Sequence, residues 1–186
     1  NHQRGPQVRK LPVLAAPRLT LRPFLLSDAA TVQRLAGDRA VADTTLTIPH
    51  PYADGMAEAW IATHEGEWTR HEGATLAITH AELGLVGAIH LRIELAQRRA
   101  ELGYWIGTPF WNRGFASEAA RTMITFGFER LSLQRIYAHH MVRNPASGRV
   151  MEKAGMQREG VLRRHFYRWG IPEDVAIWGV LAETSS

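Results

Sequence analysis

The sequence predicts an α/β domain of the α+β kind: a mixed, mostly antiparallel sheet of six to seven strands flanked by about four helices. Three observations predict it. The apolar pattern alternates between period two and helical spacing in the order β-α-α-β-β-β-α-β-α-β-β. A strand–helix–strand unit in the middle requires one parallel pair, because a helical crossover returns the chain in the same direction. A chain of 186 residues that is 45% hydrophobic is long and apolar enough for one domain with its own core.

Arg18–Phe24, RLTLRPF, alternates apolar and polar residues and reads as the first strand. Ser27 and Asp28 are suited to cap a helix running to Ala36. Gly37–Tyr52 reads as irregular, broken by Pro49 and Pro51. Asp54 can cap a second helix over Gly55–His71, with Ala57, Trp60, Ile61 and Trp68 at helical spacing. Ala74–His80 and Leu85–Leu95 form a hairpin around Ala81–Gly84, and Ala100–Ile106 follows as the next strand. Phe115–Leu131 is the clearest amphipathic helix. Ala116, Ala120, Met123, Ile124, Gly127, Phe128 and Leu131 lie on one face, with Glu118, Arg121, Thr122, Thr125 and Glu129 opposite. Gln134–Val142 is a strand, and Asn144-Pro145 opens a short helix ending at Gly155. Gln157–Tyr167 and Val175–Leu181 are two last strands joined by a turn at Gly170–Asp174. The polar, basic segment 1–17 is expected as a flexible tail and 18–182 as a single domain.

Composition removes several function classes. With no cysteine, disulfides, thiolate zinc sites and a Cys nucleophile are excluded, which fits a reducing, cytoplasmic location. No apolar run approaches ~18 residues, so no membrane helix is expected, and NHQRGPQVRK lacks the apolar core of a signal peptide. The net charge of +4 comes without a basic helix or a Lys/Arg run, which argues against nucleic acid and for a small anionic ligand. His139 and His140 are adjacent on a strand and point to opposite faces, a poor metal pair. His64-Glu65 followed by His71 does not have the HExxH spacing. Trp60, Trp68 and Trp178 read as core, whereas Trp105, Trp111 and Trp169 lie nearer the site described next.

Glu101–Ala119, ELGYWIGTPFWNRGFASEA, carries most of the functional signal. A strand passes through Pro109 into a Gly turn that opens the amphipathic helix. Free N–H groups at a helix N-terminus make an anion site. Gly114 allows close backbone approach, Ala116 and Ser117 are small, and Arg113 adds a fixed charge. No Walker A or Rossmann fingerprint is present, and alone the turn also reads as an ordinary strand-to-helix connection. A second motif, NPASGRVMEKAGM at Asn144–Met156, places Asn144 just past a strand and Ser147 near a helix start. There Asn144 can cap the helix or reach a ligand.

Together these motifs resemble the GNAT acetyltransferase superfamily, closest to its RimJ/RimL-like branch, which includes N-terminal acetyltransferases of ribosomal proteins. The matching text is ELGYWIG, W-N-RGFASEA, NPASGRVMEKAGM and EGVLRR at Glu159–Arg164, and in element order the likeness covers Arg18–Leu181. It implies a GNAT fold whose fourth strand splays from the fifth, acetyl-coenzyme A as co-substrate, and no metal. The pantetheine arm is then expected on the backbone of Tyr104, Trp105 and Ile106. The diphosphate is expected on the turn formed by Asn112, Arg113, Gly114, Phe115, Ala116 and Ser117, Asn144 at the pantetheine, and Ser147 near the sulfur. A splayed pair leaves unpaired N–H and C=O groups that need partners, and a pantetheine amide supplies them.

Two positions depart from the family pattern. Trp111 stands where the family turn often carries Gln or Arg, so phosphate binding rests more on backbone and Arg113. Met151 stands where many members place a Tyr general acid, which leaves Ser147 to protonate the departing thiolate. Glu101 is the candidate base, acting through a water; its other reading is a strand-edge carboxylate paired with Arg98 or Arg99. His165 and Tyr167 are candidates for the acceptor end. The expected function is acetyl-CoA-dependent N-acetylation of a primary amine by direct attack in a ternary complex. The acceptor is a protein N-terminus, ribosomal-protein-like, or a small-molecule amine, and the enzyme a monomer or homodimer. The alternative is a non-catalytic acyl-CoA-binding sensor or interaction module, to which Met151 points.

Overall fold

The computed structural model describes residues 10–183. Eight strands form one sheet: β1 (Leu14–Ala15), β2 (Leu19–Arg22), β3 (Gly73–His80), β4 (Gly84–Glu94), β5 (Arg99–Ile106), β6 (Arg135–Met141), β7 (Gln157–Arg168) and β8 (Ile171–Leu181). Their spatial order is β1-β2-β3-β4-β5-β6-β8-β7. Every neighbouring pair is antiparallel except β5 and β6. Five helices complete it: α1 (Ala29–Ala36), α2 (Arg39–Ala42), α3 (Met56–Thr69), α4 (Phe115–Arg130) and α5 (Pro145–Lys153).

The period-two pleat sorts the strand residues onto two faces. Leu76, Ile78, Ile89, Leu91, Leu102 and Ile136 pack with Met123 and Phe126 of α4 and Met151 of α5. Ala77, Ala88 and Trp105 face the other way and pack with Val32, Val41 and Ile61 of α1–α3. Helices on both faces explain why β3 and β4 read as nearly continuous apolar runs and are buried along most of their length.

The parallel pair is short. β5 and β6 share only the register pairs Arg99–Arg135, Ala100–Ile136 and Glu101–Tyr137. Beyond these, β5 stays paired with β4 as far as Ile106, and β6 stays paired with β8 as far as Met141. Each strand is therefore held on its outer side while the inner edges part. The gap opens between Leu102–Ile106 and residues 138–141, through the middle of the sheet.

Several expectations shift in detail. The sheet has eight strands because Leu14–Ala15 pair with β2; these two residues lie in the segment expected as a tail, whose residues 1–9 lie outside the described residues. The Asp28 carboxylate does not cap α1. It accepts from the Leu25 N–H at 2.8 Å and ion-pairs with Arg22, closing the turn before the helix. Asp54 likewise takes the Gln33 amide at 2.7 Å instead of capping α3. The stretch expected as irregular contains α2, which Asp38 caps at the Ala40 N–H, a signal present in the sequence. On α4, Ala119 and Phe126 join the core, and Glu118, assigned to the polar face, is buried because Arg18 reaches over to pair with it. The last hairpin turns tightly on Trp169 and Gly170, with φ of 51° and 76°, the paired positive values of a type I′ turn.

Candidate active site

The gap between β5 and β6 widens into a cleft of about 470 Å³. The twelve residues expected at the acetyl-CoA and proton-transfer positions line it: Glu101, Tyr104, Trp105, Ile106, the run Asn112–Ser117, Asn144 and Ser147. The cleft passes through the sheet. On one side lie the N-terminal ends of α4 and α5, and on the other the segment Thr44–Ile48 with His90, Glu101 and His139.

The α4 side is built for an anion. Gly114 starts the helix in the left-handed region at φ 74°, and Asn112 before it also has positive φ, at 61°. The first N–H groups of α4 then point out of the helix end. Ser117 is buried and its hydroxyl donates to the Gly114 carbonyl, while the Phe115 ring is buried, so both shape the turn more than they offer side chains to a ligand. The charge comes from Arg113, Arg149 and Lys153, all lining the cleft. Arg149 and Lys153 sit one turn apart on α5. Trp111, the departure noted above, donates its indole N–H to the Ile106 carbonyl at 2.7 Å and so caps the end of the open β5 edge.

Asn144 and Ser147 stand at the start of α5. The expected side-chain cap by Asn144 is not formed; its carboxamide has no hydrogen-bond partner among the described residues and lines the cleft. Tyr104 lies beside Ser147. Burial pushes the Tyr104 phenol up, Ser147 opposes this by hydrogen bonding, and the pKa lies at about 12. Met151 is packed in the core, so no proton donor occupies that position. Trp105 is buried against the α1–α3 layer and offers the cleft mainly its backbone.

The opposite side carries the titratable groups. Glu101 pairs with Arg92, its cross-strand neighbour, and not with Arg98 or Arg99. Its other oxygen, Oε1, lies 2.9 Å from His139 Nδ1. Burial pushes the Glu101 carboxyl up, the hydrogen bonds from His139 and Arg92 outweigh it, and the pKa lies at about 2. His90 projects under Gly103, whose missing side chain leaves room for the imidazole ring. Burial pushes His90 down in pKa, with Glu101 opposing. His140 points to the other face, as its neighbour's orientation requires, and accepts the Trp178 indole N–H at 3.0 Å. His165 lies near His139 at 6.4 Å between ring centres, but His165 and Tyr167 are both exposed and neither of these acceptor-end candidates lines the cleft. Trp169 lies away from it, held between Arg39 and Arg168.

Sequence reasoning missed His90 and His139 as lining residues; Thr44–Ile48 falls within Ala42–Gly55, a region expected to bear on the acceptor but not read to a substrate. A glycine inside a strand, Gly103, is the one signal that pointed to a close neighbour such as His90. The segment 44–48 reaches the cleft through long-range ties that leave no local pattern. Arg168 donates to the carbonyls of Ala42 and Ile48, and Arg143 bridges Asp43 and Glu173.

An open strand edge, a helix N-terminus after a left-handed Gly and a basic rim fit a ligand with amide groups and phosphates, as acetyl-CoA has. Residues 18–157 match the family model described as "Acetyltransferase (GNAT) domain". The chain belongs to the GNAT acetyltransferase family. GNAT enzymes are acyltransferases that use acetyl-CoA. Among relatives, the uncharacterized N-acetyltransferase YoaA of Bacillus subtilis is 32% identical over 173 residues, covering 91% of this chain and 97% of that one. The putative ribosomal N-acetyltransferase YdaF of the same organism is 36% identical over 98 residues, 52% of this chain and 54% of that one. The solved GNAT acetyltransferase of Bacillus anthracis superposes with a TM-score of 0.81 at 26% identity, covering 91% of this chain and 98% of that one. The eight-stranded mixed sheet with its single parallel pair is thus a GNAT fold.

Proposed function

We propose that this GNAT chain transfers the acetyl group of acetyl-CoA to an acceptor presenting a single primary amine, either a protein N-terminus or a small monoamine, by direct attack in a ternary complex. The observation that carries this reading is the cleft between β5 and β6, which joins a basic, amide-rich wall to a wall of titratable side chains across the sheet. Acetyl-CoA supplies the activated thioester. The free backbone edge of Leu102–Ile106 and the Asn144 carboxamide bind its amide groups, and Arg113 with the amides from Gly114 to Ser117 binds the phosphates. Ser147, beside a Tyr104 phenol that stays protonated at neutral pH, holds the proton for the departing sulfur. Glu101 serves the acceptor side, where the amine must lose a proton before it attacks.

Preference for one amine follows from charge. Glu101 is the acidic residue lining the cleft among the described residues, and Arg92 and His139 already engage it. Asp43 and Glu173, near the segment 44–48, are both already ion-paired with Arg143. A polyamine's second cation finds no free carboxylate there, and an unpaired charge in a partly buried site is costly.

The test is acetyl transfer by the wild-type chain across peptides with free N-termini, monoamines and polyamines, with acetyl-CoA affinity measured in parallel. The expected result is one acetyl group on single-amine acceptors and slower transfer to polyamines. Intact acetyl-CoA binding with transfer to none of them would favour a binding module, the reading to which Met151 points.

A further inference from the structure

We propose that His139 Nε2 takes the proton from the acceptor ammonium, with Glu101 behind it as a positioning residue. The inference deepens the acetyl-transfer reading above and rests on it. Both oxygens of Glu101 are already engaged, Oε1 by His139 and Oε2 by Arg92, so the carboxylate has poor access to a further proton. A carboxylate only accepts hydrogen bonds, so the bond of 2.9 Å from His139 Nδ1 places the proton on Nδ1 and the free lone pair on Nε2. Nε2 has no hydrogen-bond partner among the described residues and is not sealed from solvent. The ring is fixed in plane by edge contacts with Tyr137 and Phe166, with centres 5.7 and 5.9 Å away. His139 lies two residues beyond the last β5–β6 pair, where the strands have parted, and it lines the cleft.

The surroundings favour a base that cycles its charge. The charged and titratable groups around it are Glu101 on β5, Arg92 and His90 behind Glu101 on β4, Tyr137 on its own strand with Glu94 beyond, and His165 on β7. Its partner across β8 is the apolar Ile177. One proton leaves the ammonium and bonds to the Nε2 lone pair. The imidazolium so formed is stabilised by the adjacent carboxylate, the arrangement by which a third group orients and supports a catalytic base. The freed amine lone pair forms the C–N bond, the C–S bond breaks with its electrons leaving on sulfur, and the thiolate takes a proton from the Ser147 side. The remaining excess proton on the amide nitrogen and that on His139 pass to Ser147 and to solvent, which closes the balance.

The experiment has two arms. In the ligand-free protein, long-range ¹⁵N NMR of labelled histidines is expected to show His139 with Nδ1 protonated and Nε2 bare at neutral pH; a bare Nδ1 would overturn the proposal. In kinetics, His139→Gln is expected to lower kcat/KM by about 100-fold or more. Its acetyl-CoA affinity by calorimetry stays within twofold of wild type, which also reports folding, and the rising limb of the pH–rate profile is lost. Glu101→Gln, which leaves an acceptor for Nδ1 but removes the charge, is expected to lower kcat by less than His139→Gln does and to leave the acceptor KM unchanged. A His139→Gln variant with the wild-type rate and limb, beside an active wild type, overturns the base assignment alone. An inactive wild type overturns the acetyl-transfer reading itself.

Discussion

At the scale of the residue, burial decides which titratable groups are ready to act. His64 on α3 shows the structural extreme: it is 4% exposed, set edge-on to Trp60 and tilted against Phe24, and neither ring nitrogen has a partner. Burial, with a smaller contribution from His90, pushes its pKa down from 6.5 to about 4. The folded protein then keeps His64 neutral between these values while the unfolded chain binds a proton. Stability is therefore full above the unfolded value and falls as pH drops, by about 2 kcal/mol between pH 7 and 5 from this group. Denaturant unfolding at the two pH values is expected to show that loss, and His64→Leu to remove it; an unchanged slope in the variant would contradict the assignment. Glu101 runs with the same sign. Its pKa of about 2 lies below the ordinary 4.5, so its contribution is present above the ordinary value and disappears as pH falls through the folded one. Side-chain chemistry of this kind is only partly legible in sequence. Glu101 and Ser147 stand in motifs, but the pairing of Glu101 with Arg92 depends on strand register, and the approach of His139 depends on two strands that part.

At the scale of the element, the turn into α4 was the most legible part of the chain, because a glycine that must adopt positive φ, a fixed charge and small residues are all local in sequence. The same locality explains why β3, β4, β5, α4 and β6 sit within a residue or two of their expected bounds. Helix starts were less legible, since Asp28 and Asp54 have the right chemistry for caps and are drawn instead to Arg22 and Gln33. At Gly114, with φ of 74°, an added Cβ would also meet the Arg18 guanidinium at 3.3 Å. Gly114→Ala is expected to cost about 1–2 kcal/mol in thermal or denaturant unfolding, from the left-handed backbone alone. It should also weaken acetyl-CoA binding by more than that strain accounts for, because the turn's N–H groups would be re-aimed. Calorimetry of the folded variant checks this; unchanged affinity would remove the turn from the binding site.

At the scale of the whole molecule, the sheet acts as a partition with one opening. α4 and α5 cover one face, α1–α3 cover the other, and the cleft connects them where β5 and β6 separate. The wall opposite α4 and α5 is completed by a segment held by two ties, Arg168 of the β7–β8 hairpin on Ala42 and Ile48, and Arg143, in the turn after β6, on Asp43. Those contacts span 100 to 126 residues, which is why composition and periodicity left Gly37–Tyr52 as an irregular stretch. Arg168→Ala is expected to raise the acceptor KM about tenfold, equivalent to 1.4 kcal/mol, while the acetyl-CoA Kd holds. Equal loss of both affinities would mean the tie supports the fold and not the acceptor wall. The most direct measurement of the central claim is mass spectrometry of acceptors after incubation with the wild-type chain and acetyl-CoA, alongside thiol release. One acetyl group on a peptide N-terminus or a monoamine, matched by one free thiol, is the predicted result. Tight acetyl-CoA binding with no acetylated product across the whole amine panel would contradict it.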